Sequence, residues 1–224
     1  MDIKGFRVNF LGDSITEGVG VTDIENCRYD NRLKKMCELS HVNNYGIGGT
    51  RLAHQRHPSA RPVYDLCFCG RANFLDRDAD MNIVYGGVND YIHGDAPFGS
   101  IGDKTPATFC GAVYYLMSFI KENFPGKPFI FMTPAHCLFA EVDDRAPSTG
   151  ANKLPDAKPL IEYVKVIEQT AKLFDVSVLN LYETLGLDPH DDEIRQTYTT
   201  DGLHFNDIGH AVLAERLKEF IEAL

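Results

Sequence analysis

A serine hydroxyl is a weak nucleophile until a base lies within hydrogen-bond reach. This chain carries a well-placed serine and a base-bearing segment far apart in sequence. Ser14 sits in Gly12-Asp13-Ser14, directly after the apolar run at residues 8–11. His204 stands out among eight histidines because Asp201 precedes it by three residues, in Thr200-Asp201-Gly202-Leu203-His204-Phe205-Asn206. In a turn, that spacing lets a carboxylate accept from one imidazole nitrogen and leaves the other free to take a proton. This is the base-and-orienter half of a hydrolytic triad. Acyl transfer also needs donors for a developing oxyanion. Candidates are the Ser14 N–H, a backbone N–H within Gly46-Ile47-Gly48-Gly49, and the Asn89 side-chain amide in Gly87-Val88-Asn89-Asp90. Each feature also has a structural reading. Asp13 and Ser14 suit a helix cap, the glycines suit turns, and Asp201 with His204 suits a surface pair.

The elements that must position these residues decide between the readings. Apolar runs predict strands at residues 6–11, 41–45, 81–85, 128–132 and 176–181. Helices are predicted at 26–37, 63–69, 106–123, 156–174 and 207–223. Phe109, Val113, Leu116, Met117 and Ile120, for example, fall at helical spacing. Repeated strand–helix alternation implies a parallel sheet covered on both faces, joined by right-handed crossovers. The expected fold is a three-layer α/β/α sandwich with a five-stranded parallel sheet in the flavodoxin-like order 2-1-3-4-5. Its switch point lies between strands 1 and 3, at the carboxyl edge where ligands meet such folds. Ser14 follows strand 1 and Asn89 follows strand 3, so their loops face each other there. The segment before the last helix, with Asp201 and His204, ends at the same edge. Two long connections, residues 91–105 and 135–155, also leave this edge and are candidate substrate walls.

Composition narrows the class. The chain has 224 residues, no repeat and no low-complexity segment, and reads as one domain over 1–224. A formal net charge of -10 argues against nucleic-acid and anionic-membrane partners. No apolar run approaches the roughly 18 residues of a membrane span. No basic segment leads into an apolar stretch at the start, so a cytoplasmic location is expected. The six cysteines, at 27, 37, 67, 69, 110 and 137, are expected as free thiols. Cys67 and Cys69 have one residue between them, where zinc ligands usually have about two to four. No metal or cofactor is expected. Residues 12–18 carry neither a P-loop nor a G-x-G-x-x-G pattern, which argues against a nucleotide binder.

Taken in order, these blocks resemble the SGNH/GDSL hydrolases. The first block is Gly12-Asp13-Ser14, the second Asn44-Tyr45-Gly46-Ile47-Gly48-Gly49-Thr50, the third Gly87-Val88-Asn89-Asp90 and the last Asp201-Gly202-Leu203-His204. The resemblance implies Ser14 as nucleophile, His204 as base and Asp201 as its orienter. It implies an oxyanion hole from the Ser14 and Gly49 amides with Asn89, and it supports the sheet order above. The Gly-x-Ser-x-Gly elbow of α/β-hydrolases is absent around Ser14. His210, one turn into the last helix, is expected to have no catalytic part.

The substrate side is less defined. Arg51, His54, Arg56, His57 and Arg61 form a basic cluster in an acidic chain. It suits either an anionic substrate group or a solvated loop. Arg51, Tyr91 and His136 are substrate-facing candidates, as is Phe139. Asp13 joins them, with holding its own turn as the alternative role. Glu17 is assigned to the opening helical turn. The expected activity is hydrolysis of small acyl esters, acetyl foremost, on a polar alcohol such as a sugar. Lysophospholipase or thioesterase chemistry, and a silent binding protein of the same fold, are the alternatives. Oligomeric state is not legible.

Overall fold

Strands buried on both faces read as near-continuous apolar runs; of the five sheet strands, those at 81–85 and 129–132 are buried throughout, while that at 41–46 is a half-exposed edge. In the computed structural model, which describes residues 1–150 and 152–224, β1 is Arg7–Gly12, β2 His41–Gly46, β3 Met81–Tyr85 and β4 Phe129–Met132. A two-stranded hairpin follows, β5 Leu138–Phe139 and β6 Val142–Asp143, and then β7 Ser177–Leu179. The main sheet is parallel in the order β2-β1-β3-β4-β7, as expected. The helices are α1 Ser14–Glu17, α2 Ile24–Cys27, α3 Tyr29–Met36, α4 Phe68–Arg71, α5 Val88–Ile92, α6 Phe109–Asn123, α7 Leu160–Phe174, α8 Leu181–Thr184, α9 Asp192–Tyr198 and α10 Asp207–Ala223.

Alternate strand residues feed two cores. Val8, Phe10, Ile83, Ile130 and Met132 pack under α3 and α10 with Leu33, Leu213 and Leu217. Leu11, Val84, Phe129 and Phe131 pack under α6 and α7 with Val113, Leu116, Tyr163 and Ile167. Polar positions within the sheet pair with one another. Asn9 donates to Asn82 Oδ1 (2.9 Å) and accepts from Asn43 (3.0 Å), crossing three strands in register. The six cysteines are free. Among the described residues, no helix is long and apolar enough to cross a membrane.

Several expected boundaries shift for local reasons. The helix predicted at 26–37 is two, because Arg28 is extended between them (ψ 137°) and forks onto Asp30 at 2.6 and 2.9 Å. The helix at 63–69 is a 3₁₀ turn, Pro62–Asp65, then α4, separated by an extended Cys67. The α6 helix begins only at Phe109, where Thr108 caps it by accepting from Gly111 N–H (3.1 Å). The α7 helix begins after Pro159, since Lys158 precedes a proline and is steered away from helix. The strand at 176–181 shortens to β7, and Leu181 opens α8.

His210 ties α3 to α10. It is fully buried, its Nδ1 accepts from Tyr29 N–H (3.3 Å), and its ring stacks on Tyr29 at 5.9 Å. Burial pushes its pKa down to about 3. The fold therefore holds it neutral, while the unfolded chain protonates it near the ordinary value. Its contribution is complete above about pH 6.5 and is lost as pH falls toward the folded value. Between about pH 7.5 and 5 this residue should cost about 2 kcal/mol of unfolding free energy. Urea melts of His210→Leu should show that much less acid destabilisation. Equal pH dependence in both proteins would count against this role.

Candidate active site

Gly12 ends β1 and Asp13 turns the chain into α1. Asp13 is buried and caps the helix, accepting from Ile15 N–H at 3.1 Å. Burial raises its carboxyl to about 6. The end of β2 packs directly on this turn: a Cβ on Gly46 would lie 2.2 Å from Glu17 N. Thr16 Oγ1 meets the Tyr29 hydroxyl at 2.9 Å. The turn holding Ser14 is thus braced from below by the core and from the side by β2.

The segment before α10 brings His204 to Ser14. His204 Nε2 lies 2.9 Å from Ser14 Oγ, and His204 Nδ1 lies 2.7 Å from Asp201 Oδ2. The other oxygen, Asp201 Oδ1, accepts from Leu203 N–H (3.0 Å) and His204 N–H (2.8 Å). Partial burial would raise the Asp201 pKa, but the His204 ring and these amides outweigh it and hold the carboxylate below its usual range. An ionised Asp201 fixes the ring with Nδ1 protonated and Nε2 facing the serine. Phe139 of β5 stands edge-on to the His204 ring, centroids 6.0 Å apart.

Ser14, Gly49, Asn89 and His204 line one cavity of about 450 Å³ with Phe139, Tyr64 and Arg61 on its walls. Gly49 has a left-handed backbone (φ +75°), and a Cβ there would strike the Tyr64 ring at 2.3 Å. Among the described residues, neither the Ser14 N–H nor the Gly49 N–H has a protein acceptor. Asn89 Nδ2 donates to Thr50 O (3.1 Å), which leaves one amide hydrogen over. Its Oδ1 lies 3.0 Å from His93 Nε2, while His93 Nδ1 faces the Arg51 guanidinium at 3.3 Å. A guanidinium only donates, so Nδ1 accepts and Nε2–H donates to Asn89. Burial, with Arg51 and Lys153 nearby, pulls the His93 pKa down to about 4 and keeps the ring neutral. The amide orientation of Asn89 is therefore set by its neighbours. His93 lies one helical turn after Asn89, a spacing that could have flagged it in the sequence.

Arg71 had no sequence signal. It is buried at the end of α4 and donates to Gly12 O (3.0 Å), Thr50 Oγ1 (2.7 Å), Leu66 O (2.8 Å) and Tyr45 O. Its guanidinium lies 4.7 Å from the Phe68 ring centroid. One side chain thus clamps the ends of β1 and β2 and the residue after Gly49. Burial lowers its pKa to about 10, so it stays charged near neutral pH.

Four substrate-facing candidates lie elsewhere. Tyr91 is fully buried, and its single hydroxyl proton is shared between Asp143 O (2.6 Å) and Ala146 O (2.9 Å), anchoring residues 143–146. His136 turns to Asp144 Oδ2 (2.7 Å) and packs on Tyr182. Arg51, 3% exposed, binds Asp65 (3.0 Å) and Ser59 (2.8 Å) and borders a neighbouring cavity. Asp13 is the helix cap, its alternative role. Of the basic cluster, Arg61 reaches the Ser14 cavity. Glu17 lies in the opening turn as expected, and it also lines the cavity and accepts from Gly48 N–H (2.9 Å).

The profile of the GDSL-like lipase/acylhydrolase family matches residues 10–212. The chain belongs to this family of carboxylic ester hydrolases, which act on small-molecule esters. No curated protein matches it. A protein from Lactobacillus plantarum has a similar structure, with a TM-score of 0.80 at 28% identity, covering 99% of this chain and 98% of its own. A carbohydrate acetylesterase family member from Sinorhizobium meliloti gives 0.63 at 15% identity, covering 97% and 98%. An acetyl xylan esterase gives 0.60 at 18%, covering 95% and 98%. The last two likenesses are of fold alone.

Arg71→Met keeps length but removes the charged donor that ties Gly12 O, Tyr45 O and Thr50 Oγ1 together, at about 1.5–3 kcal/mol per bond. Small displacements around a reacting group are expensive in rate. On an aryl acetate, kcat should fall roughly 10- to 100-fold with little change in KM. An unchanged kcat in the folded variant would show that the clamp does not position the site.

Proposed function

We propose that the protein is a serine esterase that removes short acyl groups, acetyl foremost, from polar alcohols such as sugars. The observation that carries this reading is the unbroken line Asp201–His204–Ser14, at 2.7 and 2.9 Å, ending in a cavity with free amide donors. As Ser14 Oγ attacks the ester carbonyl, His204 Nε2 takes its proton. The carbonyl oxygen gains charge and is met by the Ser14 and Gly49 N–H groups and by Asn89 Nδ2. Collapse expels the alcohol, which takes the proton back from His204. Water then repeats the sequence on the acyl-serine and releases the acid. Asp201 holds the ring in the required tautomer and stabilises the imidazolium.

Val19, Ile47, Val63, Ile92, Phe139 and Leu203 give the cavity apolar walls for the acyl group, while Glu17, Arg61 and Tyr64 offer polar groups to an alcohol. Two fold neighbours, the Sinorhizobium meliloti protein and the acetyl xylan esterase, are described as acetylesterases. The aligned serine, histidine and aspartate speak against a silent binding protein.

A panel of aryl acetate, butyrate and octanoate, acetylated sugars and lysophospholipid tests the reading. Acetyl esters should give the highest kcat/KM, and Ser14→Ala should lower it roughly 1000-fold or more. Preference for octanoate or lysophospholipid would reject the short-acyl assignment. Undiminished turnover in Ser14→Ala would reject the serine mechanism.

A further inference from the structure

Beside the β5–β6 hairpin lies a second cluster of titratable groups that the ester chemistry does not use. Asp143 and Asp144 come from the hairpin's end, and His190 comes from the segment between α8 and α9. We propose that Asp143, Asp144 and His190 form a binding site for a divalent transition-metal ion of the zinc class.

The ligand atoms of the three residues lie within 4.8 Å of one another. His190 Nε2 is 2.9 Å from Asp143 Oδ1 and 3.5 Å from Asp144 Oδ1. Ligands held about 2.0–2.2 Å from one ion stand roughly this far apart. One observation is independent of the clustering. Asp144 is completely buried, and its Oδ1 has no hydrogen-bond partner, while its Oδ2 accepts from Cys137 N–H (3.2 Å) and His136 (2.7 Å). A buried carboxylate oxygen left unpaired is costly. The proton on His190 Nε2 goes to Asp143 at 2.9 Å and leaves Asp144 Oδ1, 3.5 Å away, without a hydrogen bond of its own. A metal ion at the shared face would satisfy all three groups.

The surroundings fit such an ion. His190 Nδ1 lies 2.7 Å from Asp188 Oδ1, the carboxylate partner that orients metal-binding imidazoles and directs Nε2 to the ion. Among the described residues, the one Lys or Arg in an ion pair with Asp143, Asp144 or Asp188 is Arg145, 2.8 Å from Asp188. A dication would balance the remaining negative charge. One imidazole with two carboxylates suits zinc better than calcium or magnesium, which take oxygen ligands. The ion would tie the hairpin to the segment before α9. Because Phe139 of that hairpin stands against His204, the site would also steady one wall of the catalytic cavity.

Chelator-stripped full-length protein should bind one zinc ion per chain by calorimetry, with a rise in melting temperature. Cobalt substitution should give visible d–d absorption. His190→Gln and Asp144→Asn should each weaken zinc binding roughly 100-fold. Asp143 is half exposed, so Asp143→Asn tests the site without burdening the fold and should weaken binding at least about 10-fold. No zinc bound to the stripped protein at about 100 µM would overturn the proposal. So would wild-type affinity in Asp143→Asn and His190→Gln, which would place the ion elsewhere. Loss confined to His136→Gln would move it to the His136–Asp188 side and overturn this ligand set.

Discussion

The hydrogen bond from Ser14 to His204 joins groups 190 residues apart in sequence. Neither partner is positioned by its own neighbours alone. Ser14 depends on the end of β1, on the Asp13 cap and on β2 packed against α1. His204 depends on the loop before α10, whose Asp201 bonds both the imidazole and the loop's own amides. A parallel sheet makes the meeting possible, because every strand delivers its loop to one edge. The constraint is therefore relative placement: two loops must be held to a few tenths of an ångström by parts of the chain that fold far apart.

Buried polar groups supply much of that holding. Arg71 binds the carbonyl ends of β1 and β2 and the Thr50 hydroxyl. Asp90, raised by burial to about 6, accepts from Leu52 N–H (2.8 Å) and Ala53 N–H (3.0 Å) and so fastens α5 to the segment after Gly49. His93, kept neutral by burial, sets the Asn89 amide. Such groups are costly when any partner is missing, so the network tolerates one arrangement. That rigidity suits the proposed oxyanion donors, which must be in place before charge develops.

The sheet order and all four blocks were legible in the sequence because each rests on a local signal: apolar runs for strands, glycines at their ends, and Asp-x-x-His for the last loop. What was not legible is long-range. Tyr91 follows Asn89 and Asp90 directly, yet a helical turn swings its ring into the core, where it holds residues 143–146. Arg51 and His136 face carboxylates from other segments, which spacing does not reveal. Arg71 sits in a short helix whose sequence, Phe68-Cys69-Gly70-Arg71, carries no motif. Helix starts moved where a cap or a proline outranked apolar periodicity, as at Thr108 and Pro159.

The central claim is that Ser14 is the nucleophile and that His204 activates it. Labelling with a fluorophosphonate, followed by intact-mass measurement and peptide mapping, reads this directly, whatever the natural ester. The account predicts one adduct per chain, on Ser14, absent in Ser14→Ala and formed roughly 100-fold more slowly or worse in His204→Ala. No adduct on folded protein, or an adduct on another residue that persists in Ser14→Ala, would contradict it.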